Sequence, residues 1–359
     1  MHLLKRAFTI LLPSFLPVVC AKGSEFSWDS VKYVYAFGDS YTFVQGVSGY
    51  PNYSFIGDAL DPSFTPEELL SNEIVPKNVH FTPSTRANLL LTVAQTSSEG
   101  SNWLEFLTGC FEGLPSNCET QLWDFAFAGA DIDVAILPRH HDFAIQLVEQ
   151  VDQWIQYASD VIPHPPNETM TFWWIGINDT GDTMHNSSIT DFAAFWETEM
   201  ISYFNAVVCF VVPFSRNLKL TAFLKQRAYE TGLKTHLFIN VPPGDRAPSR
   251  VRNATEAALA KEHIKLYNVA LANHTRAFAS RNPDAVVMTF DANAWFNEVL
   301  DDPAAFGFTN VTGFCTCEDP SGYFWYNTGH PTEQVHRLLA DAIKAQLKEA
   351  NVPASVWRS

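Results

Sequence analysis

The stretch Val31-Lys32-Tyr33-Val34-Tyr35-Ala36-Phe37 constrains the fold more than any other part of the chain, because a run of β-branched and aromatic residues stops abruptly at Gly38-Asp39-Ser40. Such a run reads as a buried strand. Gly38 allows a sharp turn, which presents Ser40 at the strand's carboxyl end. Ligands of open α/β sheets bind at that end, and a serine placed there becomes a nucleophile once a base reaches it. Gly, Asp and Ser are also ordinary turn residues. The remainder of the chain therefore has to separate a nucleophile from a polar turn.

Composition narrows the field. With 359 residues, 47% hydrophobic and 17% charged, the chain can bury a sizeable core in one large or two modest domains. A formal net charge of −16 argues against nucleic acid and against anionic membranes as partners, and leaves neutral sugars and esters open. Aromatic residues make up 14% of the chain, and most of them are expected in the core rather than along a sugar site.

The N-terminus reads as a signal peptide over residues 1–21. Lys5 and Arg6 precede an apolar run from Ala7 to Val19, and Val19-Cys20-Ala21 suits cleavage after Ala21. The run holds Pro13 and Pro17 and is too short to span a bilayer. A secreted, extracellular, monomeric protein without stable membrane association is expected. The Asn-x-Ser/Thr sites at Asn52, Asn167, Asn178, Asn186, Asn253, Asn273 and Asn310 fit that route. Cleavage removes Cys20 and leaves Cys110, Cys118, Cys209, Cys315 and Cys317 in an oxidising compartment. Cys110 and Cys118 close a short loop suited to a bridge, and Cys315 and Cys317 form a Cys-x-Cys pair able to join under strain. Their spacing is poor for zinc. No metal or cofactor is expected.

Along the chain, Gly46 to Pro83 reads as a long loop, a natural wall for a site at the strand end. Gly100-Ser101-Asn102 leads into a short helix over Trp103–Leu107, capped by Ser101 or Asn102. Further strands are predicted over Gln121–Phe127, Thr171–Ile175, Thr235–Val241 and Ala285–Phe290, and an amphipathic helix over Phe143–Tyr157. Strands alternating with helical stretches predict a three-layer α/β/α sandwich with a central parallel sheet. Residues 22–359 read as a single domain.

Four blocks then stand in order: Phe37-Gly38-Asp39-Ser40-Tyr41, Phe127-Ala128-Gly129-Ala130, Gly176-Ile177-Asn178-Asp179 and His330-Pro331-Thr332. Together they resemble the SGNH, or GDSL, hydrolases, over about residues 28 to 348. Gly100-Ser101-Asn102-Trp103, Ile239-Asn240-Val241-Pro242-Pro243 and Asp245-Arg246-Ala247-Pro248 are similar to fungal members, the acetylesterases of carbohydrate esterase family sixteen. The resemblance implies a flavodoxin-like sheet and ester hydrolysis. It implies Ser40 as nucleophile and His330 as base, with the Ser40 and Gly129 N–H groups and the Asn178 amide as oxyanion donors. Asp39 reads as a brace for the turn. Asn178 lies in a sequon, Asn178-Asp179-Thr180, and is expected to stay bare because a glycan would occupy the site.

One position departs from the family pattern. Where an aspartate usually stands three residues before the histidine, this chain has Asn327. Its carbonyl oxygen can accept the Nδ1–H of His330 but brings no charge to stabilise imidazolium. The equivalent change in a serine-protease triad costs about 10⁴ in kcat through the wrong tautomer. Three outcomes stand: a working Ser–His dyad, a replacement carboxylate at Asp319 or Glu318, or a weakened enzyme. The reading adopted is a functioning, slow hydrolase of acetyl or other short acyl esters on carbohydrate. The alternatives are a lipase or lysophospholipase, and a sugar-binding homologue that has lost its chemistry. His140, His141 and His185 read as solvated loop residues rather than metal ligands.

Residues 207–222 fit the family poorly, because Pro213 would interrupt a helix that runs on to Gly232. Excising them joins Ala206 to Phe223, restores an apolar face and leaves four cysteines in the mature chain. Two readings stand: an insertion of the unspliced-intron kind, or a genuine surface hairpin or extra helix.

Overall fold

The computed structural model describes residues 19–20, 26–76, 95–208 and 228–350. Its first strands and helices are β1 (Val19–Cys20), β2 (Tyr33–Gly38), α1 (Pro66–Leu70), α2 (Trp103–Thr108), β3 (Gln121–Asp124) and α3 (Leu147–Gln153). They are followed by β4 (Thr169–Trp174), α4 (Ile177–Asp182), α5 (Phe192–Val207), β5 (Thr235–Ile239) and α6 (Ala254–Arg281). The chain closes with β6 (Val286–Phe290), α7 (Ala292–Asp301), β7 (Asn310–Phe314), β8 (Tyr323–Trp325) and α8 (Glu333–Glu349).

Strands β2 to β6 form a parallel sheet in the order β6-β5-β4-β2-β3, with β1 antiparallel on the outer edge of β6. Relative to the first parallel strand, this is the doubly wound order of flavodoxin-like folds, whose switch point lies between β2 and β4. Side chains alternate across the sheet and show which helices cover which face. Phe172 and Trp174 meet Trp103 of α2, whereas Trp173 between them meets Tyr203 of α5. Helix α2 packs with α8, and α5 packs with α3 and α6. Three layers result, as the sequence predicts. Because both faces are covered, the strands are buried almost throughout.

The strand expected over Gln121–Phe127 keeps its regular ladder only to Asp124. There the buried carboxylate takes the N–H of Ala126 at 2.9 Å and of Val44 at 2.8 Å, and this turn ends the element. The helix expected from Phe143 starts at Leu147. Gln146 instead directs its side-chain oxygen to the N–H of Asp131 at 2.6 Å, and Glu149 accepts the Gln146 N–H at 2.9 Å. It ends in a π turn, where Ser159 N–H reaches Trp154 O at 2.9 Å.

The residues 209–222 of the supposed insertion lie outside the described residues. Where the described chain resumes, the N–H of Tyr229 donates to Val207 O at 2.9 Å. Val19 and Cys20 pair with Val287 and Val286, so cleavage after Ala21 would also remove β1 and leave β6 as the sheet edge. Cys110 and Cys118 form a disulfide with Cα atoms 5.5 Å apart, and Cys315 is joined to Cys317. No helix among the described residues is long and apolar enough to cross a membrane.

At the end of β4, Gly176 has φ +112°, and a Cβ there would lie 2.2 Å from Cζ of Tyr267. Tyr267 on α6 is fully buried and donates to Ile175 O at 2.9 Å, so it has nowhere to retreat. Gly176→Ala is expected to destabilise the fold by about 3 kcal/mol, combining left-handed backbone strain with overpacking. A lowered urea midpoint at unchanged slope is the expected readout.

Candidate active site

The carboxyl ends of β2 and β4 bring two of the four sequence blocks side by side, with Gly38 paired to Trp174. A Cβ on Gly38 would lie 2.2 Å from Trp174 O, so only glycine lets the backbones approach this closely. Gln150 of α3 brackets the Gly38 peptide, accepting its N–H at 2.9 Å and donating to its oxygen at 2.8 Å. Beyond it, Asp39 is fully buried and accepts the Tyr41 N–H on Oδ1 at 3.0 Å. Burial pushes the Asp39 carboxyl up to about 8, which suits a brace rather than a charge at the reaction centre.

The turn after Ser40 is held from a third direction. Asn102 caps α2 by accepting the Leu104 N–H at 2.9 Å, and its amide donates to Thr42 O at 2.5 Å and Phe43 O at 2.9 Å. Trp103 Nε1–H donates to Tyr41 O at 3.0 Å. The Gly100-Ser101-Asn102-Trp103 block, legible in the sequence only as a likeness, is thus the clamp on the Ser40 turn. Tyr41 in turn donates its hydroxyl to Gly329 O and ties this turn to the histidine loop, a link with no signal in the sequence.

Ser40 is 9% exposed, and its Oγ lies 2.8 Å from Nε2 of His330. Nδ1 of His330 lies 3.0 Å from Oδ1 of Asn327. The same Oδ1 accepts the N–H groups of Gly329 at 3.0 Å and His330 at 2.8 Å. Two backbone donors require an acceptor, so they fix which end of the Asn327 amide faces the ring. An oxygen there demands a proton on Nδ1. That leaves the lone pair of Nε2 for the Ser40 hydroxyl. Asn327, rather than Asp319 or Glu318, therefore partners the ring. Asp319 instead accepts the Ser321 N–H at 3.1 Å.

The His330 ring keeps an edge in solvent, but protein packs its other sides. That packing lowers its pKa to about 4, with no neighbouring carboxylate to lift it. The imidazole is neutral, and so able to accept a proton, across the whole weakly acidic and neutral range.

Gly129 has φ +82°, and the Asn178 amide donates to Ala130 O at 2.8 Å. This bond uses one of the two Nδ2 hydrogens and aims the other. Among the described residues, the N–H groups of Ser40 and Gly129 meet no protein acceptor. The loops carrying Gly129 and Asn178 are joined underneath, where Asp179 Oδ1 accepts the Ile132 N–H at 2.9 Å. Burial and mutual repulsion push the carboxyls of Asp131 and Asp179 upward, so these buried struts hold protons more readily than ordinary carboxylates. Asn178→Ala is expected to lower kcat for an acetyl ester about 10²–10³-fold with little change in KM, as for loss of an oxyanion donor. Steady-state kinetics on 4-nitrophenyl acetate measures it.

The loop histidines have protein partners. His140 Nδ1 lies 2.7 Å from Asp182, and His185 Nε2 lies 2.9 Å from Glu256. His141 lies against Gly129, its Cδ2 2.9 Å from where a Cβ would stand. Among the described residues no three His, Cys, Asp or Glu side chains gather to hold a metal ion.

Residues 34–343 match the model of the GDSL-like Lipase/Acylhydrolase family. The chain belongs to that family and is a carboxylic ester hydrolase. It is 26% identical to an acetylesterase from Thermothelomyces thermophilus over 320 residues, which is 88% of this chain and 87% of that protein. A GDSL esterase/lipase from Arabidopsis thaliana is 24% identical over 144 residues, covering 34% of this chain and 41% of that protein. Among solved structures, an extracellular lipase from Streptomyces rimosus aligns over 87% of this chain and 99% of its own, at 13% identity and a TM-score of 0.36.

Proposed function

We propose that this protein is a secreted serine esterase that removes acetyl or other short acyl groups from carbohydrate by way of an acyl-enzyme. The observation that carries the mechanism is the 2.8 Å contact of Ser40 Oγ with His330 Nε2, on a ring whose tautomer is set by Asn327. His330 takes the hydroxyl proton as Oγ attacks the ester carbonyl, then returns it to the leaving alcohol. Ser40 N–H, Gly129 N–H and the free Asn178 Nδ2 hydrogen receive the negative oxygen. Water then attacks the acyl-enzyme carbonyl as the same ring takes its proton; the carbon–Oγ bond breaks, the carboxylic acid leaves, and the ring returns the proton to Ser40 Oγ.

The short acyl preference is supported by likeness to the acetylesterase across 88% of the chain. Secretion is supported by the N-terminal apolar run, the seven sequons and the Cys110–Cys118 disulfide. A stoichiometric organophosphonate adduct located on Ser40 by peptide mass spectrometry is the expected result. Acetyl nitrophenyl ester should be cleaved at least tenfold faster than the octanoyl ester. An adduct elsewhere defeats the nucleophile, the reverse chain-length order favours a lipase, and absence of both adduct and turnover favours a sugar-binding homologue.

A further inference from the structure

We infer that His140 and Glu199 are positioning residues for the oxyanion donors. With Asp131, Asp179 and Asp182 they clasp the Gly129 loop to the helix carrying Asn178, and the clasp holds only while it keeps its protons. This rests on the reading of Gly129 and Asn178 as those donors. Asp131 stands two residues after Gly129, and Asp179 directly follows Asn178. Helix α5 brings Glu199 to both carboxyls, and Tyr203 lies one turn further along the same face. All four side chains are fully buried. Asp179 Oδ1 takes the Ile132 N–H at 2.9 Å, and Asp131 Oδ2 receives a long 3.4 Å bond from Gln146 Nε2. The other oxygen of each, both oxygens of Glu199 and the Tyr203 hydroxyl meet no protein partner among the described residues. At the surface the same two loops are tied by His140 Nδ1 and Asp182, 2.7 Å apart.

Three buried carboxyls that face one another cannot all ionise, because each charge would lose its hydration and repel its neighbours. Burial first, and neighbouring carboxylates second, accordingly push Asp131, Asp179 and Glu199 upward. The surrounding groups add to the repulsion: Asp133 faces Glu199, Asp182 faces Asp131 and Asp179, and Asp39, Tyr203 and Tyr267 face Asp179. Arg250, whose Nη2 lies 3.3 Å from where a Cβ on Gly181 would stand, donates to Gly244 O at 3.4 Å. His140, with His141 beside it, is raised by its hydrogen bond to Asp182. Both devices fail in the same direction. A raised histidine contributes fully below the ordinary histidine range and loses that contribution as pH climbs through its folded value. Raised carboxyls cost the fold progressively more as pH climbs from the ordinary carboxylate range towards theirs. Their ionisation drives Asp131 from Asp179, and with them Gly129 from Asn178. His330 is already neutral at such pH, so loss of activity on the alkaline side belongs to the clasp and not to the base.

The test uses the full-length protein with Glu199→Gln, Asp131→Asn, His140→Ala and His140→Gln. Turnover of 4-nitrophenyl acetate is followed from about pH 5 to about pH 9 with spontaneous hydrolysis subtracted, and urea unfolding is measured over the same range. Glu199→Gln keeps the shape of the side chain and removes its titration. It should move the alkaline limb of kcat upward by about one pH unit at unchanged KM, and raise the urea midpoint at about pH 8, with the advantage shrinking towards about pH 4. Asp131→Asn should repeat both effects from the other loop, and it decides the question should Glu199→Gln fail to fold. His140→Ala should lower kcat about threefold at about pH 5.5 and far less at about pH 9, where the ring carries no charge. His140→Gln, which can still donate to Asp182, should restore most of that loss. A lower midpoint at about pH 8 for both amide variants, or an alkaline limb that neither moves, overturns the clasp. Should the wild type cleave no ester, the esterase reading fails, and the midpoints still decide the clasp. Amide variants that gain stability over wild type as pH rises uphold it, and a difference that does not change with pH ends it.

Discussion

Ser40→Ala should abolish ester hydrolysis to within the residual set by the oxyanion donors, a loss of about 10⁵–10⁶ in kcat on 4-nitrophenyl acetate. The reason is local. Oγ lies 2.8 Å from the only imidazole that touches it among the described residues, and Ser40 sits at the switch point of the sheet. His330→Ala should cost nearly as much, and the double variant little more, because nucleophile and base act as one unit. A loss of less than a hundredfold for Ser40→Ala would move the nucleophile elsewhere. The fold should tolerate the change, since the turn is held by Gln150 on Gly38, Asp39 on Tyr41 and Asn102 on Thr42 and Phe43, not by the hydroxyl.

Asn327 carries the second large effect. Asn327→Leu removes the acceptor that keeps the proton on Nδ1 and strands the N–H groups of Gly329 and His330. Turnover should fall about 10³–10⁴-fold, the scale of a wrong-tautomer histidine. Asn327→Asp should gain far less than the protease precedent suggests. In that precedent an asparagine amide presents the wrong partner to the ring; here two backbone donors already turn its oxygen inward. What the carboxylate adds is charge alone, a gain of roughly tenfold in kcat at neutral pH from stabilising imidazolium at close range.

The pH dependence separates the two contributions. In the natural protein the neutral ring, with its pKa lowered by burial to about 4, remains a base down to acidic pH. The acid limb of kcat/KM should therefore lie well below 6.5, with activity lost as pH falls through the folded-state value. A carboxylate at position 327 favours the protonated ring and should move that limb upward by at least one pH unit. A gain near 10⁴ at neutral pH would mark the natural protein as crippled, and an unmoved acid limb would show that His330 is not the base.

Much of the architecture is visible in the letters. The run Val31–Phe37 marks β2 because a strand covered on both faces needs apolar residues at every position. The alternation of such runs with helical stretches implies parallel connections. Boundaries are less legible, because competing side chains set them: Asp124 ends β3 by bonding its own turn, and Gln146 delays α3 by bonding Asp131. The four blocks single out Ser40, Gly129, Asn178 and His330, and the structure sets Ser40 against His330 and Asn178 against Ala130, but the letters do not say what holds them.

By itself the sequence determined the sheet, the family and the residue types at the reaction centre, since each depends on local periodicity or on short motifs. Only the tertiary structure decided how Asn327 orients, how Tyr41 joins the Ser40 turn to the histidine loop, and where His140 meets Asp182. The first depends on the path of the backbone through residues 327–330, and the other two on contacts between residues tens to hundreds of positions apart. Such contacts leave no periodic trace in a single chain, because any residue of suitable shape could have supplied the partner.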